Sequence, residues 1–345
     1  MQWMIYGANG YTGRLIALEA KRRGLAPILA ARNAQTLADI GNQTGFAQRV
    51  FDLSPDALRT GLEGVDLVLH CAGPFSATCA PMLEACLERK THYLDITGEI
   101  DVFAHCHAQH DRARTAGVVV LPGAGFDVVP TDCLAAQLKR DLPGATHLTL
   151  AFDAGGGLSP GTAKSSVEGL AKGGRARIDG RLQRVPLAWK TREFVRDGKT
   201  RTAMTIPWGD VYTAFVSTGI PNIEVYLSVP PSTVTRMRRL RRISMLLGLG
   251  AVQRFLKRRV EKTVRGPSDA KRASTDTFVW GEARDANGTV HKGTLRTPNG
   301  YDITVTASLG IVQHLMKTTV PGGYYTPSLL MGPDYVLGLP GVSRE

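Results

Sequence analysis

The stretch Met1-Gln-Trp-Met-Ile-Tyr-Gly7-Ala-Asn9-Gly10-Tyr11-Thr12-Gly13-Arg14 decides the reading of the fold. Its three glycines lie three residues apart, after a short apolar run and before an amphipathic one carrying Leu15, Ile16, Leu18 and Ala20. Residues 2–6 read as a strand and residues 12–23 as a helix. Glycines at that spacing on a strand–helix joint suit a dinucleotide pyrophosphate. The first permits a tight turn, the second lets backbone approach phosphate, and the third lets helix pack on strand. The unpaired N–H groups of the helix start then face the anion. A turn that merely joins strand to helix is the plainer alternative, and the surrounding pattern argues against it.

Outward from this loop, short apolar runs at residues 27–31, 48–51, 66–70, 92–96 and 118–121 alternate with helical patterns at 34–40, 80–89 and 101–116. Continuous apolar strands separated by helices predict a parallel sheet covered on both faces, an α/β Rossmann-like doubly wound fold. Ligands of such folds bind at the carboxyl ends of the strands. The second half changes character. Residues 199–206, 212–217 and 222–229 read as strands, and 274–283 and 290–297 as a hairpin about Ala286-Asn287-Gly288. A helix is expected over 301–317. The predicted organisation is an NAD(P)-binding domain over 1–145 and a mixed α/β substrate or dimerisation domain over 146–318. The Gly- and Pro-rich tail, 319–345, is expected to pack back on the first domain.

At 345 residues, 43% of them hydrophobic, the chain has material for two domains of ordinary size. No basic leader precedes the first strand, so no signal peptide is expected. Five cysteines, an odd number without a CxxC pair, point to free thiols and a cytoplasmic setting. The formal charge of +12 is local: eleven Lys/Arg and one acid between Arg236 and Arg265 carry +10 of it, leaving +2 elsewhere. Nucleic-acid binding therefore has little support. The same segment places Arg236, Arg238, Arg239, Arg241 and Arg242 before the apolar stretch 244–257, interrupted by Arg254, and a second basic cluster over 258–262. It suits an anionic membrane surface at the inner face of the membrane, an acidic carrier protein, or a plain core helix with solvated ends.

The end of the second strand selects the cofactor. NAD-specific loops carry an acid there for the ribose hydroxyls. This chain has Leu29-Ala-Ala-Arg32-Asn33, and a guanidinium suits the 2′-phosphate of NADP(H). Asp52, after the third strand, either accepts from the adenine amino group or caps the helix that follows.

The blocks around Gly7–Gly13 and Leu29-Ala-Ala-Arg32, with His70-Cys71-Ala72-Gly73-Pro74-Phe75, His92-Tyr-Leu-Asp-Ile-Thr97-Gly98-Glu99 and Pro122-Gly-Ala-Gly-Phe-Asp127, resemble the saccharopine dehydrogenase-like oxidoreductases. That family includes trans-acting enoyl reductases. The resemblance implies an NADP-dependent oxidoreductase. In it Gly7, Asn9, Gly10, Tyr11, Thr12 and Gly13 hold the pyrophosphate and Arg32 the 2′-phosphate. Cys71, Ala72, Gly73, Pro74 and Phe75 lie along the nicotinamide ribose, and Thr97, Gly98 and Asp127 close the nicotinamide end. The reaction implied is hydride transfer to an activated C=C of an acyl or lipid-like substrate. Its rivals are C=N reduction of an amino-acid-derived imine and a non-catalytic NADP-binding regulator.

Asp127 and Glu99 are the candidate proton-handling groups, each with helix capping as its alternative. Ser159, Thr162 and Ser165 sit at a predicted helix start, where they either bind an acyl carbonyl or cap the helix. Thr326 is a similar candidate. No metal is expected: among Cys106, His105, His107 and His110 only two share a helix face. A homodimer is compatible with this organisation.

Overall fold

A computed structural model describes residues 1–241 and 247–345. The chain divides into two compact units, residues 1–129 with 301–331, and residues 130–300 with 332–345.

The first unit is a seven-stranded, wholly parallel sheet. Its strands are β1 (Trp3–Tyr6), β2 (Ile28–Ala31), β3 (Gln48–Val50), β4 (Leu67–His70), β5 (His92–Asp95), β6 (Val119–Leu121) and β15 (Gly323–Tyr324). Their order is β15-β6-β5-β4-β1-β2-β3. The order reverses between β1 and β4, and at such a switch point a crevice opens outside the strand ends. Every residue of β1, β2 and β4 is buried, which is why these strands are apolar without alternation. The polar β3, Gln-Arg-Val, lies at an edge.

Helices α1 (Tyr11–Arg22), α2 (Ala34–Thr44), α3 (Pro55–Gly61), α4 (Phe75–Arg89), α5 (Ile100–Ala108) and α6 (His110–Ala116) connect these strands. Two boundaries differ from the sequence expectation. α4 begins at Phe75, not near residue 80, and carries Pro81 inside its first turns. The single helix expected over 101–116 breaks at Gln109 into two.

The second unit is built on a mixed sheet whose strands, in spatial order, are β10 (Thr191–Arg196), β11 (Lys199–Thr205), β12 (Asn222–Ser228), β7 (Ala145–Ala154), β13 (Asp276–Asp285), β14 (Val290–Pro298) and β16 (Ser343–Arg344). β7 is its central strand, parallel to β12 and antiparallel to β13. β13 and β14 form the expected hairpin, with Gly288 at φ +87° in its turn. β8 (Gly174–Ile178), β9 (Arg181–Val185), β10 and β11 complete one end, with α7 (Val129–Asp141) and α8 (Pro160–Lys172) preceding them.

Residues 212–217, expected as a strand, belong instead to α9 (Asp210–Thr218). Val, Tyr, Phe and Thr there favour a strand locally. The buried set Val211, Ala214 and Thr218 nevertheless has the helical period, and Gly219 at φ +69° ends the helix.

α10 (Pro231–Leu240), α11 (Gly250–Thr263) and α12 (Asp269–Ala273) carry the basic region, of which residues 242–246, including Arg242, lie outside the described residues. α13 (Gly300–Lys317) contributes residues 301–317 to the first unit. The tail divides: β15 and α14 (Pro327–Met331) group with the first unit, whereas β16 (Ser343–Arg344) pairs with β14 in the second. No helix among the described residues is long and apolar enough to cross a membrane.

Candidate functional site: a glycine cradle and a carboxylate cluster

In the first unit, the loops after β1, β2, β4, β5 and β6 carry every block singled out above for the dinucleotide. The Gly7 N–H donates to the Ala30 carbonyl at 2.7 Å and the Gly10 N–H to the Gly7 carbonyl at 3.0 Å, which turns the chain into α1. Gly7 has φ +86°, and a Cβ on it would lie 2.7 Å from the Ala72 nitrogen. A Cβ on Gly13 would lie 2.3 Å from the Gly7 oxygen. These two glycines are required by the protein's own packing. Gly10 is different: it is exposed, and its nearest obstacle is the Gly7 oxygen at 3.3 Å. No side chain caps α1 there, so the helix start presents backbone outward, as an approaching phosphate requires.

Asn9 ties this loop to the next one, donating from Nδ2 to Thr36 Oγ1 at 2.8 Å. Asn33 caps α2 by accepting from the Thr36 N–H at 3.0 Å. The Tyr11 ring meets Tyr301 edge-on at 4.9 Å between centroids. Arg32 is exposed at the end of β2, with no acid beside it on that strand. Asp52 Oδ1 accepts from both the N–H (2.9 Å) and the Oγ (2.6 Å) of Ser54. Those bonds, and then the charge of Arg32, hold its carboxyl below the usual range. Asp52 thus organises the start of α3, which was one of the two roles open to it.

After β4, Cys71 donates its N–H to the Tyr6 carbonyl, and burial pushes its thiol up, leaving it protonated. The Gly73–Pro74 peptide is cis. Thr78 Oγ1 donates to the Ala72 carbonyl at 2.7 Å and meets His70 Nε2 at 2.9 Å. His70 is fully buried, and burial lowers its pKa to about 3, so the ring is neutral.

Glu99 supplies what α4 lacks at its own start: its carboxylate accepts from the N–H groups of Phe75 (3.0 Å) and Ser76 (2.8 Å). The cap is thus on α4, 24 residues back, where the sequence pointed to the adjacent helix.

The two turns expected at the nicotinamide end are clasped by a residue not singled out for a role, Asp95. Its Oδ1 accepts from the N–H groups of Thr97 and Gly123, each at 2.9 Å, and its Oδ2 from the Tyr93 hydroxyl at 2.7 Å. Burial raises Asp95 to about 6 despite these donors. Thr304 is a second such residue. Its Oγ1 accepts the Phe126 N–H at 2.9 Å, and a Cβ on Gly125 would strike its methyl at 2.8 Å.

Asp127 follows, half-buried, against Gly98; burial and then the Glu99 charge raise it to about 7. The Glu99 charge thus acts on both Asp127 and Asp95 at the strand ends, and the Asp127 carboxyl titrates near neutrality.

Of the substrate candidates, Ser159 and Thr162 bond to each other. Ser159 caps α8, accepting the Thr162 N–H at 3.2 Å, and its Oγ meets Thr162 Oγ1 at 3.1 Å. Ser165 is half-buried one turn further along the same helix, in the second unit. Thr326, in the first unit, is fully buried at the start of α14.

Cys106 does not associate with the neighbouring histidines. Its Sγ lies 3.5 Å from Cys79 Sγ, and with Asp95 these give three buried ligand-type atoms within 4.8 Å. Both Asp95 oxygens already accept hydrogen bonds, and burial holds the Cys106 thiol well above its usual range. Protonated thiols are poor metal ligands. His110 Nδ1 accepts the Tyr324 N–H at 3.1 Å, and the His107 ring stacks on Tyr324.

Comparison with known proteins agrees with this geometry. Residues 3–121 match the family model of the saccharopine dehydrogenase NADP binding domain. A rat saccharopine dehydrogenase-like oxidoreductase is 26% identical, over 51% of this chain and 47% of its own length. A trans-acting enoyl reductase of Mycobacterium leprae is 30% identical, over 40% of this chain and 35% of its own length. The chain thus spans about half the length of the rat relative, and about a third of the mycobacterial one. Apo saccharopine dehydrogenase (L-Glu forming) from Saccharomyces cerevisiae shares the fold, with a TM-score of 0.68 at 10% identity, covering 100% of this chain and 99% of that one. Residues 3–121 are thus similar to the saccharopine dehydrogenase NADP binding domain, and about half of the chain is similar to saccharopine dehydrogenase-like oxidoreductases.

Proposed function

We propose that this chain is an NADPH-dependent reductase of an activated C=C in an acyl or lipid-like substrate, with Asp127 as the proton donor. The observation that carries the reading is Asp127 itself: a half-buried carboxyl at the strand ends, poised at about 7 beside a dinucleotide cradle.

The residues present fit a nicotinamide dinucleotide. Gly10 is open where a Cβ would obstruct phosphate, the start of α1 has no side-chain cap, and Arg32 stands where an NAD-specific loop has an acid. Arg32 recognises the 2′-phosphate, and Gly7, Gly10 and Gly13 shape the backbone around the pyrophosphate. Bound there, the cofactor supplies a hydride. Asp127 holds the proton that the other carbon of the double bond takes up, and regains it from solvent. Burial and then the Glu99 charge raise that carboxyl to about 7, and Asp95 fixes the turns around it.

The charges of Glu99 and Asp95 weigh against a substrate bearing several carboxylates of its own, because like charges in a desolvated site repel. This favours an enoyl group over the amino-acid-derived imine. The name of the mycobacterial relative points the same way.

The test is NADPH oxidation, followed by absorbance, with trans-2-enoyl thioesters in parallel with 2-oxo-acid and amine pairs. Turnover with enoyl thioesters is expected. Turnover only with the imine-forming pairs would move the chain to C=N reduction. NADPH binding without turnover of either class would favour a regulatory role.

A further inference from the structure

We infer that the outward face of α11 docks on an anionic lipid bilayer. The inference does not depend on the reaction proposed above. α11 is held to the second unit by one face only. Gln253 Nε2 donates to the Val167 carbonyl at 3.1 Å, Lys257 pairs with Glu168, and Val252, Leu256 and Val260 are half-buried alongside.

The opposite face carries Phe255, 64% exposed, the most exposed large hydrophobic side chain among the described residues. At about 100° per residue, Ala251, Arg259 and Lys262 fall within about 40° of it, Arg258 lies at about 60° and Arg254 at about 100°. Arg254, Arg258, Arg259 and Lys262 are all exposed, and none makes an ion pair among the described residues. Leu249, just before the helix, is 54% exposed. Arg236, Arg238 and Arg239 on α10 are exposed as well, while Val234 and Met237 anchor that helix against Ala188 and Met204.

An aromatic residue ringed by cations is what an amphipathic helix offers to anionic headgroups: the ring enters the acyl boundary and the charges stay with the phosphates. An acidic protein would be satisfied by the cations and would gain little from solvent-facing Phe255 and Leu249. The bilayer is therefore the occupant that uses the whole face.

Arg241 is not part of this surface. Its guanidinium donates to the carbonyls of Leu187 and Ala188, so replacing it would loosen α10 and confuse the result. The variants that isolate the face are Arg254→Gln/Arg258→Gln/Arg259→Gln and, separately, Phe255→Ser. Neither touches the dinucleotide cradle.

The experiment is flotation of the full chain with vesicles of phosphatidylcholine and phosphatidylglycerol, against vesicles of phosphatidylcholine alone. Circular dichroism and NADPH affinity serve as folding controls. Binding is expected only to the anionic vesicles, falling steeply with salt. The triple variant should partition roughly a hundredfold more weakly, and Phe255→Ser about tenfold more weakly. No flotation of the wild type at low salt overturns the inference. So does flotation that Phe255→Ser leaves unchanged, since that would mark a purely electrostatic patch of the kind an acidic protein partner uses. Loss of NADPH binding with vesicle binding intact would instead count against the proposed function alone.

Discussion

Gly98 and Asp127 touch: a Cβ on Gly98 would lie 2.8 Å from Oδ2 of Asp127 and 3.1 Å from its Cβ. Contacts that short are not tolerated, so Gly98→Ala must displace the carboxyl that we assign as proton donor. The glycine has no positive φ, and so the substitution strains the contact rather than the backbone. Turnover is expected to fall roughly tenfold to a hundredfold, the scale on which a displacement of about 1 Å acts. NADPH affinity should change little. Steady-state kinetics beside a fluorescence titration of NADPH separates the two.

Asp127→Asn removes the group whose pKa stands at about 7 in the folded protein. In the wild type, activity should decline above about pH 7 as the carboxyl loses its proton, and the variant should lose both the activity and that limb. The stability consequence has a definite sign. A carboxyl raised by folding binds more protons in the native state than in the unfolded one between about pH 4 and pH 7. Its favourable share is present below that window and is lost as pH rises through it. Asparagine has no such dependence, so Tm of the variant relative to wild type should increase from pH 5 to pH 8. A difference that is flat with pH would show that Asp127 titrates normally.

Glu99→Gln tests the coupling inside the cluster. The Glu99 charge raises both Asp127 and Asp95, and its removal should shift the alkaline limb of the rate profile to lower pH. A residue that only capped α4 would cost stability without moving that limb. The replacement retains one acceptor for the N–H groups of Phe75 and Ser76, so α4 keeps part of its cap. The measurement is the pH dependence of kcat beside the thermal melt.

The parts of this protein that were legible in its sequence are those set by local pattern. β1, β2 and β4 are buried throughout, so burial wrote them as apolar runs, and the glycine spacing marks the one strand–helix joint where backbone must stay bare. The site's supports are another matter. Asp95 reaches Gly123 across 28 residues, Glu99 caps a helix that starts 24 residues earlier, and Thr304 accepts from Phe126 across 178. No periodicity encodes such pairs; they exist only once the strands are side by side. α9 shows the converse failure, for its Val, Tyr and Phe content favours a strand until the buried face of a helix overrides it.

Arg32→Ala should separate the two dinucleotides. The side chain is exposed at the end of β2, and its charge reaches Asp52 and Tyr6, the groups that flank it. Charge-assisted bonds to a phosphate contribute about 1.5–3 kcal/mol. NADPH should therefore bind roughly tenfold to a hundredfold more weakly, with NADH unchanged. Calorimetric titration with both cofactors reads the ratio directly. An equal loss for both would place Arg32 away from the 2′-phosphate.

The three glycines of the first loop should part company under substitution by alanine. At Gly7 the new Cβ meets Ala72 at 2.7 Å with φ at +86°, and at Gly13 it meets the Gly7 oxygen at 2.3 Å. Both variants should be destabilised, by about 1–3 kcal/mol or more, because backbone has to move. At Gly10 the tightest contact is 3.3 Å, the residue is exposed, and its φ of −76° suits any residue. Gly10→Ala should thus melt within a few degrees of wild type and yet bind NADPH at least tenfold more weakly, because the methyl stands where phosphate must approach the backbone. Thermal melts and NADPH titrations of the three variants give the pattern. If Gly10→Ala binds NADPH as wild type does, the loop is only a turn, and the reading that begins from it falls.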